Sequence, residues 1–214
     1  DAALPARLLR PLLLEATDKS FNAITVDGDT STSDTCLLVA TGAQRAEGPA
    51  IRRLDDPRLA QFRKALTDVM QDVAIQVVCD GEGVSKLMTV DVFGAEDDAA
   101  ARRIGLAIGN SPLVKTAVAG ADANWGRIVM AVGKSGERVD RDRLSIEIGG
   151  HKVARRGRVV PGYDEAPVDR HMQGQRIHIA VDVGAADGKA KGRTRIWASD
   201  LTHGYISINA DYRS

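Results

Sequence analysis

Between Asp56 and Gly81 the chain carries Leu59, Phe62, Leu66, Val69, Met70, Val73 and Val77 on one helical face. Asp56 and Pro57 supply a cap and a first-turn proline, so a long helix is predicted there. One tight loop, Asp80-Gly81-Glu82-Gly83, then separates it from a strand predicted over residues 86–93. A long amphipathic helix that hands over directly to a strand points to a mixed α/β fold. The same handover fixes Glu82 between two rigid elements, where a carboxylate is aimed rather than mobile.

The remaining text alternates in the same way. Leu4, Leu8, Leu9, Leu12 and Leu13 recur at helical spacing, predicting a helix that Asp1 helps to start and that runs to about Thr17. Residues 22–26 and the apolar run 36–40 read as strands on either side of the polar loop 27–34. Another helix is expected over 96–110, and the segment 122–127 leads into a capped helix that enters the core along 128–132. Beyond Gly133 short alternating strands, 144–148 and 177–183, lie among glycine, proline and charge. The expected organisation is a main α/β body over 1–133 and a smaller C-terminal lobe over 134–214. The last strands of that lobe, 193–197 and 205–208, return toward the main sheet.

Charge narrows the partners. The 29 basic and 29 acidic residues of the 214 cancel, so no electrostatic footprint favours nucleic acid or an anionic membrane. The apolar run 12–14 is too short for a secretory core or a membrane span, and a cytoplasmic protein is expected. Cys36 and Cys79 each sit in apolar text, which suggests buried thiols in a reducing compartment. The chain opens at Asp1 without Met, consistent with processing or trimming upstream.

Familiar motifs fail on particular residues. Gly133-Lys134-Ser135 resembles the end of a phosphate-binding loop, but the first glycine that motif needs falls on Ile128. Asp27, Asp29, Ser31 and Ser33 alternate like calcium ligands, yet Thr32 stands where the sharp turn needs glycine and Leu38 where the closing carboxylate belongs. His151, His171, His178 and His203 show no paired spacing, so no metal site is indicated. His178 and His203 read as structural or solvated, with a catalytic role as the alternative. The loop 27–34 is either a capped turn or an active-site wall, and Asn124-Trp125-Gly126-Arg127 is either a helix cap or part of a site.

Five blocks in order carry a more specific signal. They are Ser20-Phe21-Asn22 with 25–35, Glu82-Gly83-Val84-Ser85-Lys86, Leu113-Val114-Lys115-Thr116-Ala117, Asp122-Ala123-Asn124-Trp125-Gly126-Arg127, and the ending from Asp200 to Ser214. Together they resemble the ornithine acetyltransferases, also called glutamate N-acetyltransferases, of the arginine biosynthesis bifunctional protein family. The resemblance spans nearly the whole chain and departs from it at Ser33, where many relatives have asparagine.

That resemblance implies a layered αββα-type sandwich and a precursor that cuts itself before a threonine, which becomes the nucleophile of the β chain. This sequence is similar to the β chain, with the threonine upstream of Asp1 and no catalytic residue within it. Acetyl transfer from N-acetylornithine to glutamate through an acyl-threonine is the implied reaction. Glu82, Asn209 and Ser214 are the implied substrate contacts. The implied partner is the α chain of the same precursor, in an α2β2 heterotetramer. No bound cofactor is implied, and acetyl-CoA is left open as a second donor. The other readings are a self-processing aminopeptidase or amidohydrolase of the same architecture, and a noncatalytic subunit.

Overall fold

The computed structural model of the chain describes residues 1–44, 48–185 and 192–211. These residues form seven α-helices and one seven-stranded sheet, the mixed α/β class expected from the helix-to-strand handover. The helices are α1 (Ala6–Asp18), α2 (Leu59–Cys79), α3 (Asp98–Gly109), α4 (Pro112–Ala119), α5 (Trp125–Lys134), α6 (Ala166–Met172) and α7 (His203–Asp211). The strands are β1 (Ile24–Thr25), β2 (Leu87–Ala95), β3 (Ser145–Ile148), β4 (His151–Arg155), β5 (Arg158–Val159), β6 (Arg176–Asp182) and β7 (Gly192–Ser199).

Two compact units emerge, one of residues 1–23 and 29–75, the other of 24–28 and 76–214. In the first, Leu8 and Leu12 of α1 meet Ile51 and Leu59, with Leu4, Leu38, Leu54, Phe62 and Leu66 packed around them. Arg63 of α2 adds a two-pronged ion pair to Glu15 of α1 and donates to the Leu54 carbonyl at 3.2 Å. The helix starts later than the leucine spacing suggested. Pro5 occupies the cap, and Asp1 instead accepts a bond from Thr41 at 3.1 Å.

The second unit is built on the sheet, in the order β1-β7-β2-β6-β3-β4-β5. Strand β2 runs parallel to β6 and antiparallel to β7, and β1 joins the edge parallel to β7. Strands β6 and β7 therefore flank β2 although both follow residue 133, so that position marks no break in the sheet. Val90 and Val92 of β2, Ile179 and Val181 of β6, and Ile196 of β7 are buried on one face, where α3 packs. Glycine lets α3 lie close: a Cβ on Gly105 would stand 2.7 Å from Ile196 Cγ1, and one on Gly109 3.1 Å from Thr25 Cγ2.

The opposite face is polar. Asp91 of β2 accepts from Arg195 Nε and Nη2 at 2.6 and 2.7 Å, and His178 Nε2 lies 2.8 Å from its second oxygen. Burial pushes the Asp91 carboxyl up, yet the bonds from Arg195 and His178 together hold it below its ordinary value. His178 is thus tied to the Asp91–Arg195 ion pair across three neighbouring strands.

Three local expectations are corrected. Residues 36–40 form no strand; Leu37 and Val39 stand exposed, because the apolar run has no strand among the described residues to pair with. Residues 205–208 belong to helix α7, not a strand. Cys36 and Cys79 are free and exposed rather than buried, the first in the unpaired stretch and the second in the last turn of α2.

Gly105→Ala tests the helix-to-sheet approach. An ordinary helical glycine-to-alanine change stabilises by about 0.5–1 kcal/mol. Gly133→Ala in α5, where a Cβ meets nothing within 4 Å, is the control expected to do so. Gly105→Ala is expected to cost about 1–3 kcal/mol instead. The check is the urea midpoint of the full-length protein at unchanged slope.

Candidate functional site

Helix α2 ends at Cys79, and Gly81 to Lys86 then turn into β2. The turn closes with Val84 N–H donating to the Gly81 carbonyl at 3.1 Å, and Gly83 takes the left-handed φ of +67°. A side chain is excluded there on a second ground. A Cβ on Gly83 would overlap the backbone nitrogen of Tyr205 and the carbonyl carbon of Gly204. The first turn of α7 rests directly on this loop.

Polar bonds lock the two segments together. Asp200, buried at the end of β7, accepts from Ser85 N–H at 3.0 Å with one oxygen and from Ser85 Oγ at 2.5 Å with the other. Thr202 Oγ1 donates to the Gly83 carbonyl at 2.6 Å and accepts from Gly204 N–H at 3.1 Å. The result aims Glu82 at α7, where Asn209 Nδ2 donates to Glu82 Oε2 at 2.6 Å and to the Tyr205 carbonyl at 3.0 Å. An amide nitrogen has two hydrogens, and these bonds use both. Asn209 Oδ1 and the Glu82 carboxylate therefore present acceptors side by side, on exposed residues. Such a pair suits an ammonium or amide N–H.

Helix α7 has a second anchor. Tyr205 Oη donates to Asp27 Oδ2 at 3.0 Å, just beyond β1. Beneath both anchors lies Lys115 of α4, only 2% exposed. Its ammonium donates to the Val26 carbonyl at 2.5 Å, the Ser199 carbonyl at 2.6 Å and Ser199 Oγ at 2.9 Å. Burial pulls its pKa down to about 8, with Asp200 and Asp27 opposing the shift.

Two of the three residues implied as substrate contacts, Glu82 and Asn209, are thus hydrogen-bonded to each other, while Ser214 lies outside the described residues. From the loop 27–34, Asp27 takes part in this arrangement through Tyr205. Asn124 is a helix cap, accepting from Arg127 N–H at 3.3 Å, and Arg127 ties α5 to the Leu113 carbonyl of α4 at 2.8 Å. His203 is exposed in the first turn of α7. Lys115, Ser85, Asp200 and Tyr205 were not singled out from the sequence. A lysine within the mostly apolar stretch 113–118 was the one readable signal among them.

The sequence model of the ArgJ family matches residues 1–214. The chain belongs to the ArgJ family. It is 56% identical over 214 residues to the arginine biosynthesis bifunctional protein ArgJ of Gluconobacter oxydans, covering all of this chain and 49% of that protein. Against the protein of the same name from Zymomonas mobilis the identity is 54%, covering all of this chain and 51% of that protein. The chain thus spans about half the length of the curated relatives it matches. The crystal structure of an ArgJ from Bacillus halodurans superposes with a TM-score of 0.90 at 38% identity, covering 99% of this chain and 96% of that one.

Gly83→Ala probes the seat of α7. Gly162→Ala shares a left-handed φ, +70°, but its Cβ would meet nothing within 4 Å, so it measures backbone strain alone. The Gly83 substitution is expected to cost at least about 1 kcal/mol more stability than the Gly162 one, read from the urea midpoints at unchanged slope.

Proposed function

We propose that this ArgJ-family chain is the C-terminal, β part of an ornithine acetyltransferase, which moves the acetyl group of N-acetylornithine to glutamate in arginine biosynthesis. The carrying observation is the Glu82–Asn209 pair, two acceptor groups held side by side between a glycine turn and α7. In this reading Glu82 binds the cationic amine of the amino acid by a charge-assisted bond, and Asn209 Oδ1 accepts from a neighbouring N–H. Ser214 is the third contact. The name carried by the relatives, arginine biosynthesis bifunctional protein, supports the pathway. "Bifunctional" fits a second acetyl donor, for which acetyl-CoA is the candidate.

The nucleophile in this proposal is a threonine freed by self-cleavage ahead of Asp1. Its α-amine, with an ordinary pKa of about 8, takes the hydroxyl proton as the oxygen attacks the acetyl carbonyl. The tetrahedral oxyanion collapses, ornithine leaves protonated, and the acetyl group stays on the threonine as an ester. Glutamate's neutral amine then attacks that ester and regenerates the hydroxyl. Oxyanion donors come from the α part of the precursor and contribute several kcal/mol.

An α partner, in a cytoplasmic α2β2 assembly, is supported by what this chain leaves uncovered. Leu37 is 81% and Val39 77% exposed in an apolar segment that joins no strand among the described residues, and Ile206 of α7 is 60% exposed beside the site. Large apolar side chains so displayed fit burial in a larger assembly, and the relatives have about as much chain again.

The test is to incubate full-length protein with N-acetylornithine, with and without glutamate, and to quantify N-acetylglutamate and acetate. Glutamate-dependent N-acetylglutamate is the expected product, and acetate release indifferent to glutamate would favour the amidohydrolase alternative. Glu82→Gln is expected to lower kcat/KM about 10–100-fold, the worth of a hydrogen bond to a charged group.

A further inference from the structure

Glu82 and Asn209 sit on two jaws, and each jaw hangs on one aspartate. Asp200 holds the Glu82 loop through Ser85, and Asp27 holds α7 through Tyr205. The residues just before these aspartates are Ser199 and Val26. Both give their carbonyl oxygens to the same buried ammonium, Lys115 Nζ, at 2.6 and 2.5 Å. Ser199 Oγ completes the knot, accepting from Lys115 at 2.9 Å and donating to the Val26 carbonyl at 3.0 Å. Lys115 is also fixed through its own carbonyl, which accepts from Leu201 N–H at 3.3 Å.

We infer that Lys115 is a positioning residue for the amino-acid site, setting the distance between the two jaws by clamping the ends of β1 and β7 from below. The inference rests on reading Glu82 and Asn209 as that site. Three acceptors surround a group with three N–H donors, so the charged form satisfies all of them and the neutral amine, with two, does not. A charge-free core residue would bury more easily at this depth. The clamp gives the cation a use beyond packing.

The charged groups facing Lys115 are Asp27 beyond β1 and Asp200 beyond β7. Lys86, at the entry to β2, turns its ammonium to the carbonyls of Val118 and Met172, and Arg127 of α5 bonds Leu113 and Thr116 on α4. With burial bringing the Lys115 pKa down to about 8, the clamp loses a bond as pH rises through that value. The folded pKa lies below the ordinary 10.5, so this group's contribution to stability grows between the two values. Site order and fold stability therefore move in opposite directions with pH, which a purely structural role does not predict.

The experiment measures KM and kcat for N-acetylornithine from pH 6.5 to about 9.5 on the full-length, processed protein. Wild type is expected to show KM rising above pH about 8. Lys115→Met is expected to raise KM about tenfold at every pH, the loss of roughly one hydrogen bond to a charged group, with kcat changed less than KM. Lys115→Arg, permanently charged, is expected to lack the rise. Ser199→Ala removes one acceptor and is expected to shift the rise to lower pH, which keeps the test open if the Lys115 variants fail to fold. A rise that persists unchanged in the Lys115 variants, or unmoved in Ser199→Ala, belongs to the substrate or nucleophile and overturns the inference. If Glu82→Gln leaves KM unchanged, the site reading itself fails. If Glu82→Gln raises KM while Lys115→Met does not, only the role of Lys115 falls.

Discussion

One carboxylate carries much of this arrangement. Asp200 spends both oxygens on Ser85, and in doing so joins the exit of the last strand to the turn that presents Glu82. A carboxylate buried at a strand end is costly unless its lone pairs are filled, and here a backbone N–H and a hydroxyl fill them. The close approach this requires leaves no room for a side chain at residue 83 and seats Gly204 and Tyr205 against the loop. Glycine at 83, serine at 85 and threonine at 202 are answers to that single contact.

Helix α7 depends on it most. None of its residues is buried, so it gains little from an apolar face. Its place is set by polar bonds from Thr202, Tyr205 and Asn209, each contributing about 0.5–1.5 kcal/mol. An element held in this way belongs to the low-stability end of a structure, where binding surfaces are commonly found. Covering Ile206 and Ile208 would then tighten the site as well as bury apolar surface.

Helices with a strong apolar stripe or a clear cap were readable in the sequence: α2 from its seven periodic positions, α3 and α5 from their boundaries. Strands β2, β6 and β7 were readable too, β6 from its alternation. The errors share a cause. Tyr205-Ile206-Ser207-Ile208 alternates and Cys36-Leu37-Leu38-Val39 is a continuous apolar run, both strand-like patterns, yet among the described residues neither pairs with a strand, and a local pattern does not say whether a partner strand exists. In the first case capping contacts draw the segment into a helix; in the second it stays irregular. Glu82 and Asn209 were picked out from the resemblance, but their mutual bond crosses most of the chain and has no local signature. The same holds for the Lys115 clamp, which joins residues from three distant segments.

The central claim is that Glu82 and Asn209 act as one recognition unit. A double-mutant cycle on kcat/KM for N-acetylornithine, using Glu82→Gln, Asn209→Ala and the pair in full-length protein, measures this directly. A coupling free energy above about 1 kcal/mol is the result expected of groups in direct contact around one ligand. Effects that add to within about 0.3–0.5 kcal/mol, the behaviour of independent sites, would contradict it.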